Sequence, residues 1–234
     1  MEAIVLAGGL GTRLKAVTQT LPKPMAPIGS RPFLEFLLEN LVQNGISRVL
    51  LSVGYKHEKI SSYFGNQYKA CELVYSVEHE PLGTGGAVRL ALGQASSENV
   101  WIVNGDTFFD IPLNKMFQFH LEKRSDLTLG LKPMLDFDRY GNVALFETKV
   151  IGFEEKKYQA CGQINGGVYC LRRETFEKLE LPTRFSFEKE FIEAYLNIIE
   201  VNGFISDGYF IDIGVPEDYE RARTELKSIT FART

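Results

Sequence analysis

Ala3-Ile4-Val5-Leu6-Ala7-Gly8-Gly9-Leu10-Gly11-Thr12-Arg13-Leu14 runs from a short apolar segment directly into a glycine loop. An apolar run of this length ending in glycines is the pattern of a buried first strand. Glycines let a backbone approach a bulky anion, and consecutive amides can then point at its oxygens. Arg13 adds a planar, fixed charge suited to phosphate. A dinucleotide fingerprint would need glycine where Leu14 stands, and a Walker A loop would need Gly-Lys-Ser/Thr; neither is present. On the pattern alone, a phosphate cradle and a plain tight turn after a strand both stand.

Outward from this loop the charge is one-sided. Through residue 31 the chain carries Arg13, Lys15, Lys23 and Arg31 against Glu2 alone, so a pocket lined by this segment suits an anion. Lys23 is flanked by Pro22 and Pro24, with Pro27 close behind. Prolines fix φ and stiffen the segment, which presents one ammonium at a defined place. That suits a charge meeting phosphates, and it equally fits a solvated surface lysine.

Further along, Phe33–Val42 puts Phe33, Leu34, Leu37, Leu38, Leu41 and Val42 on one helical face, with Ser30 and Pro32 before it and Gly45 after it. Strands are predicted at Arg48–Val53, Glu72–Val77, Val100–Val103 and Leu127–Leu131, with helices near His57–Phe64, Gly86–Leu92 and Leu113–Leu121. This alternation predicts an α/β fold, a mostly parallel central sheet with helices on both faces. After about Pro133 the rhythm changes. Short strands at Val143–Phe146, Val150–Phe153 and Gly167–Leu171 precede helices near Phe187–Ile199 and Pro216–Lys227. The expectation is a single domain, 1–234, with a half at about 1–132 and a second half at about 133–234 that serves as a substrate lid and sheet extension.

The 234 residues are 44% hydrophobic and 24% charged, with 17 Phe and 10 Tyr, enough apolar material for one sizeable core. No segment reaches the roughly 18 consecutive apolar residues of a membrane span, and neither a span nor a cleaved signal peptide is expected. Cys71, Cys161 and Cys170 are scattered and read as reduced, mostly buried thiols of a cytoplasmic protein. His57, His79 and His120 lack ligand spacing, so no zinc site is expected. The net charge of −4 argues against nucleic acid as a partner. Trp101 reads as core and Asp110 as a local turn residue.

Several blocks stand in a recognisable order. They are Leu6–Leu14, Leu21-Pro22-Lys23-Pro24-Met25, Glu80-Pro81-Leu82-Gly83-Thr84-Gly85-Gly86-Ala87, Asn104-Gly105-Asp106, Phe153-Glu154-Glu155-Lys156, Asn165-Gly166-Gly167 and Asp212-Ile213-Gly214-Val215-Pro216. This set resembles the sugar-1-phosphate nucleotidyltransferases, whose fold is Rossmann-like with a smaller sugar-binding extension. Pro32–Phe36, Ser52–Lys56, Gly105–Phe109 and Phe137-Asp138-Arg139-Tyr140-Gly141 are most similar to the bacterial D-glycero-α-D-manno-heptose-1-phosphate guanylyltransferases. The resemblance implies transfer of GMP from GTP to a heptose 1-phosphate, release of pyrophosphate, and Mg²⁺ as cofactor. The product of that group serves surface polysaccharide or S-layer glycan. Competing readings are a mannose-1-phosphate guanylyltransferase, a uridylyl- or thymidylyltransferase on another sugar, or a nucleotide-sensing protein that has lost the chemistry.

By the same resemblance, Leu6, Ala7, Gly8 and Gly9 meet the nucleoside, while Gly11, Thr12 and Arg13 hold phosphates. Arg13 stabilises the departing pyrophosphate, and Lys23 neutralises charge at the reacting centre. Asp106 and Asp212 bind the metal. Glu80 and Gly85 are assigned to the base, because an acceptor-only carboxylate can receive guanine's two adjacent donors. Tyr140, Gly141, Glu155, Lys156, Asn165 and Gly166, together with Lys23, are assigned to the sugar phosphate. Self-association into a homo-oligomer is left open.

Overall fold

The computed structural model describes residues 1–9 and 20–228. In chain order the first half comprises β1 (Glu2–Leu6), the short hairpin β2 (Pro27–Ile28) and β3 (Arg31–Pro32), α1 (Phe33–Gln43), β4 (Arg48–Val53), α2 (His57–Phe64), β5 (Gln67–Tyr68), β6 (Cys71–Val77), α3 (Gly83–Leu92), β7 (Asn99–Asn104), β8 (Thr107–Phe109) and α4 (Leu113–Glu122). The second half adds β9 (Leu127–Phe137), β10 (Val143–Phe146), β11 (Lys149–Phe153), β12 (Gln159–Arg172), α5 (Arg173–Glu177), β13 (Val201–Ile205), β14 (Phe210–Asp212) and α6 (Pro216–Ser228).

Ten strands form one sheet in the order β10-β11-β13-β9-β12-β7-β1-β4-β6-β5. The first-half strands β6, β4, β1 and β7 are neighbours and parallel. The strand β12 lies antiparallel to both β7 and β9, so β9 and its parallel neighbour β13 point the same way as the first four. The second-half strands thus extend the same sheet.

Side chains alternate across a strand, so a sheet covered on both faces needs apolar residues at every position. On β1, Ala3 and Val5 pack into one core with Val49, Leu51, Val53, Trp101 and Val103, and with apolar faces of α1, α2, α4 and α6. Ile4 points the other way and joins Leu50, Val100, Ile102 and the residues of α3 and α5. The continuous apolar run Ala3–Leu6 follows directly from this double burial. Cys71 and Cys170 are buried, whereas Cys161 is exposed. Among the described residues no helix is long and apolar enough to cross a membrane.

Several elements differ from the sequence reading, among them the strand β13 and the short helix α5, which it did not contain. The strands β9 and β12 run well beyond Leu127–Leu131 and Gly167–Leu171, because their far halves pair with each other and need no second apolar face. The helix predicted over Phe187–Ile199 is a π-helix over Phe187–Glu193. Its buried residues Phe187, Phe191 and Ile192 are spaced by four and five, which the wider π turn places on one side. The antiparallel pair β8 and β14 was not anticipated, since each strand has only three residues.

Candidate active site

Parallel strands deliver the residues that follow them to one edge of the sheet, where ligands of open α/β sheets bind. Here the ends of β1, β4, β6 and β7 surround a cleft of about 470 Å³. Leu6, Ala7, Gly8 and Gly9 line it, with Lys23, Glu78, Glu80, Gly83 and Asp106. Two glycines stand at close approaches, and at Gly105 the neighbour is backbone that cannot give way. The N–H of Gly105 donates to Leu6 O at 3.0 Å, and a Cβ on Gly105 would lie 2.5 Å from that same oxygen. A Cβ on Gly8 would lie 2.8 Å from Glu78 Oε1. Gly11, Thr12 and Arg13 lie outside the described residues.

At one side of the cleft the proline-flanked segment forms a 3₁₀ turn at Lys23–Met25 with all three residues buried. Lys23 is 8% exposed, so it is no solvated surface lysine. Its Nζ lies 2.5 Å from Asp106 Oδ2. Pairing of Asp212 with Thr107 in the β8–β14 ladder brings Asp212 to the same place, and the Ile213 N–H donates to Asp106 O at 2.9 Å. The Gly214 N–H holds Asp212 Oδ1 at 2.7 Å. Burial pushes the Asp212 carboxyl up, and the neighbouring Asp106 adds to this, while Lys23 opposes it. A half-buried carboxylate beside a second one is held at a cost that a cation relieves.

This donor set fits a hard divalent cation. Magnesium takes one or two carboxylates and completes its shell with phosphate oxygens and water. Among the described residues no cluster of three or more His, Cys, Asp or Glu side chains offers a protein-only cage.

On the opposite wall the two acids Glu78 and Glu80 differ. Glu80 is exposed, whereas Glu78 is half-buried. Glu78 accepts from the Leu82 N–H at 3.2 Å and from the Ser52 hydroxyl at 3.4 Å, and burial pushes its carboxyl up. Sequence reasoning passed over Glu78 because nothing in the pattern of two alternate glutamates says which one faces inward. Its position one residue beyond β6, in phase with Ser76, was the signal available. Gly83 lines the cleft. Gly85 is buried under the Phe185 ring, and its N–H is taken by Phe185 O at 2.9 Å.

The residues assigned to the sugar fall into three groups. Tyr140 lines a second hollow of about 440 Å³ that includes Asp212, and burial with Asp212 beside it pushes its hydroxyl up to about 12. Gly141 packs against Glu154 O, and Glu155 and Lys156 are exposed on the loop after β11. Asn165 and Gly166 sit at a bulge in β12, where Asn165 faces Leu131 and Tyr169 faces Leu129. Bulges re-aim side chains next to active sites. Gly166 packs on the Phe109 ring and Gly167 on Asn104, a cleft residue.

The nucleotidyl transferase family profile matches residues 2–229. D-glycero-alpha-D-manno-heptose 1-phosphate guanylyltransferase of Aneurinibacillus thermoaerophilus is 52% identical over 227 residues, covering 97% of this chain and 99% of the relative. The enzyme of the same name from Campylobacter jejuni is 49% identical over 220 residues, covering 94% and 97%. The crystal structure of HddC from Yersinia pseudotuberculosis complexed with GMP-PN superposes with a TM-score of 0.85 at 36% identity, covering 96% of this chain and 99% of that one.

Proposed function

We propose that this chain, which belongs to the nucleotidyl transferase family, transfers GMP from GTP to D-glycero-α-D-manno-heptose 1-phosphate and releases pyrophosphate. The observation that carries the substrate assignment is the 52% identity with a guanylyltransferase of that name over nearly the whole of both chains. The cleft supports the reaction class. An acceptor phosphate oxygen attacks the α-phosphorus in line as pyrophosphate leaves, and such chemistry asks the protein for positioning and charge neutralisation.

In this reading residues 1–132 hold the nucleotide and residues 133–234 the sugar phosphate. The backbone of Leu6–Gly9 lies along the nucleoside and Arg13, with Gly11 and Thr12, meets the β- and γ-phosphates. Lys23 supplies an ammonium to the phosphates at the reacting centre, a role its burial and stiff segment support. Asp106 and Asp212 would hold Mg²⁺, which when bound would supply neutralisation of phosphate charge. Tyr140, Gly141, Glu155, Lys156, Asn165 and Gly166 frame the sugar. Glu78 accepts from guanine N1–H and the exocyclic amino group; it is the carboxylate with fixed geometry on the cleft wall, with Glu80 at the rim. A GTP-dependent reaction of this kind places the protein in the cytoplasm, upstream of glycosyl transfer to a polysaccharide.

Pyrophosphate release over a matrix of GTP, ATP, UTP and dTTP against heptose, mannose and glucose 1-phosphates tests the assignment. GTP with the heptose phosphate is expected to give the highest kcat/KM. Equal use of glucose 1-phosphate would leave only the class.

A further inference from the structure

Asn165 is assigned to sugar hydroxyls by sequence, yet its amide is already committed within the protein. Its Nδ2 donates to the Tyr169 hydroxyl at 2.8 Å and to Glu188 Oε1 at 2.9 Å. Its Oδ1 accepts from the Gly167 N–H at 3.1 Å. An amide nitrogen has two hydrogens, and both are used. The orientation is fixed by chemistry, because a carboxylate only accepts and so must face the nitrogen. The Tyr169 hydroxyl is likewise occupied. It donates to Glu188 Oε1 at 2.7 Å while receiving Asn165, and Tyr169 is 1% exposed.

What this triad turns outward is the Glu188 carboxylate. Glu188 is exposed, and its Oε2 takes no hydrogen bond among the described residues. Its place is set from two sides of the cleft wall. The N–H of its neighbour Phe187 donates to the Thr84 hydroxyl at 2.9 Å, and Thr84 lines the cleft. At the other end of the triad, Gly167 packs against Asn104, also of the cleft wall. Glu188 lies in the first turn of the π-helix, a widened turn that recurs at functional sites.

We infer that Glu188 is a specificity-determining residue for the acceptor, its outward carboxylate oxygen accepting one hydroxyl of the sugar. Asn165 and Tyr169 are positioning residues that hold this carboxylate in place. The inference rests on the nucleotidyltransferase reading of the cleft and names the group that reads the sugar. A carboxylate repels phosphate and accepts from hydroxyls, so the sugar phosphate lies with its hydroxyl end at Glu188 and its phosphate toward Lys23. A pair of this kind gives discrimination, since a sugar lacking the hydroxyl leaves a desolvated charge without a donor.

The test is steady-state kinetics, each substrate varied with the other saturating, using the sugar 1-phosphate that the wild-type enzyme turns over fastest. The identity of that sugar tests the substrate assignment, whereas the ratio between variant and wild type tests Glu188. Glu188→Gln keeps the size of the side chain and an oxygen for Tyr169. It should raise KM for the sugar phosphate by about 10-fold or more, with KM for GTP within about twofold and Tm within about 2 °C. Glu188→Asp, which keeps the charge but withdraws it, should fall between. With a series of monodeoxy sugar 1-phosphates, one analogue should be penalised about 10-fold by the wild type and hardly at all by Glu188→Gln. An unchanged sugar KM in Glu188→Gln, a parallel rise in KM for GTP, or additive penalties for every deoxy analogue would overturn the inference.

Discussion

Replacing Lys23 with methionine deletes one charge and keeps most of the apolar stem. The structure lets the two consequences be separated. For stability, the lost ion pair involves Asp106, whose side chain is 39% exposed, so water takes over much of the lysine's role and the expected loss is about 1 kcal/mol or less. In a domain of this size that moves Tm by roughly 2–4 °C. For turnover, an ammonium 8% exposed on a proline-fixed turn acts in a poorly screened setting. Removing one such preorganised stabiliser of developing charge costs about 3–4 kcal/mol in the activation barrier, a loss of about 100- to 1,000-fold in kcat. Lys23→Arg should recover only part of this, because the planar guanidinium cannot occupy the compact ammonium position beside Asp106. Pyrophosphate release and thermal melts on the three proteins give both numbers. Turnover by Lys23→Met within about threefold of wild type would refute the argument, as would a loss of activity explained by unfolding.

The remaining expectations concern the carboxylates. Glu78→Gln should lower the preference for GTP over dTTP by about 10-fold or more, while Glu80→Gln leaves it within about threefold; competition assays decide, and the reverse order would return base selection to the rim. Asp212 has its carboxyl pushed up by burial and by Asp106, so it takes a proton at a higher pH than an ordinary aspartate and loses any cation as pH falls through that raised value. By the same sign, without a cation its folded-state proton stabilises the protein at low pH and that contribution is lost as pH rises through the folded value. Magnesium should therefore raise Tm more at pH 8 than at pH 4.5, chelator should abolish turnover, and Asp212→Asn should lose both effects; a metal-dependent Tm that persists in Asp212→Asn would remove that residue from the site. Burial alone would raise the Glu2 carboxyl, but the Arg48 guanidinium and the Ser97 and Ser96 N–H groups more than offset it and hold it at about 2. Its stabilisation is present above the unfolded value near 4.5 and mostly lost as pH falls to about 2, where half the folded carboxylates are still ionised. Glu2→Gln should therefore cost about 2–3 kcal/mol at pH 7 once solvent screening is allowed for, and only a few tenths of a kcal/mol near pH 2, read from melts across pH.

Much of the fold was legible because strands buried on both faces have little choice of residue. Ala3–Leu6, Arg48–Val53 and Val100–Val103 carry apolar side chains into both cores at once, and such runs stand out from any loop. Trp101, at 1% exposure, sits in the core as its place in a strand implies. The far parts of β9 and β12 were not legible. Leu135 and Cys161 are exposed partners across that ladder, so no alternation distinguishes inside from outside. The π-helix failed for another reason, since a spacing of four and five looks like an ordinary amphipathic helix unless the aromatic cluster of Phe176, Phe185, Phe187 and Phe191 is known to wait on one side.

The site divides along the same line. Residues that act through the backbone leave marks in sequence: Gly105 is a glycine because the Leu6 carbonyl oxygen occupies the space of a Cβ. Asp106 and Asp212 were legible through the blocks Asn104-Gly105-Asp106 and Asp212-Ile213-Gly214, but their meeting depends on β8 and β14, whose three-residue pairing no periodicity announces. Residues that act through a saturated side-chain network leave no mark at all. Asn165 carries the motif, yet its donors and its oxygen are spent on Tyr169, Glu188 and Gly167. The group left to face a ligand is a glutamate 23 positions away, on an element that sequence assigned to the wrong helix type. Hydrogen-bond capacity is finite, and a motif residue that has used its own passes the contact to whichever partner still has a lone pair to offer. Among the residues that frame the sugar, the carboxylate inferred to read one of its hydroxyls is found by counting donors and acceptors around Asn165, and the count ends at Glu188.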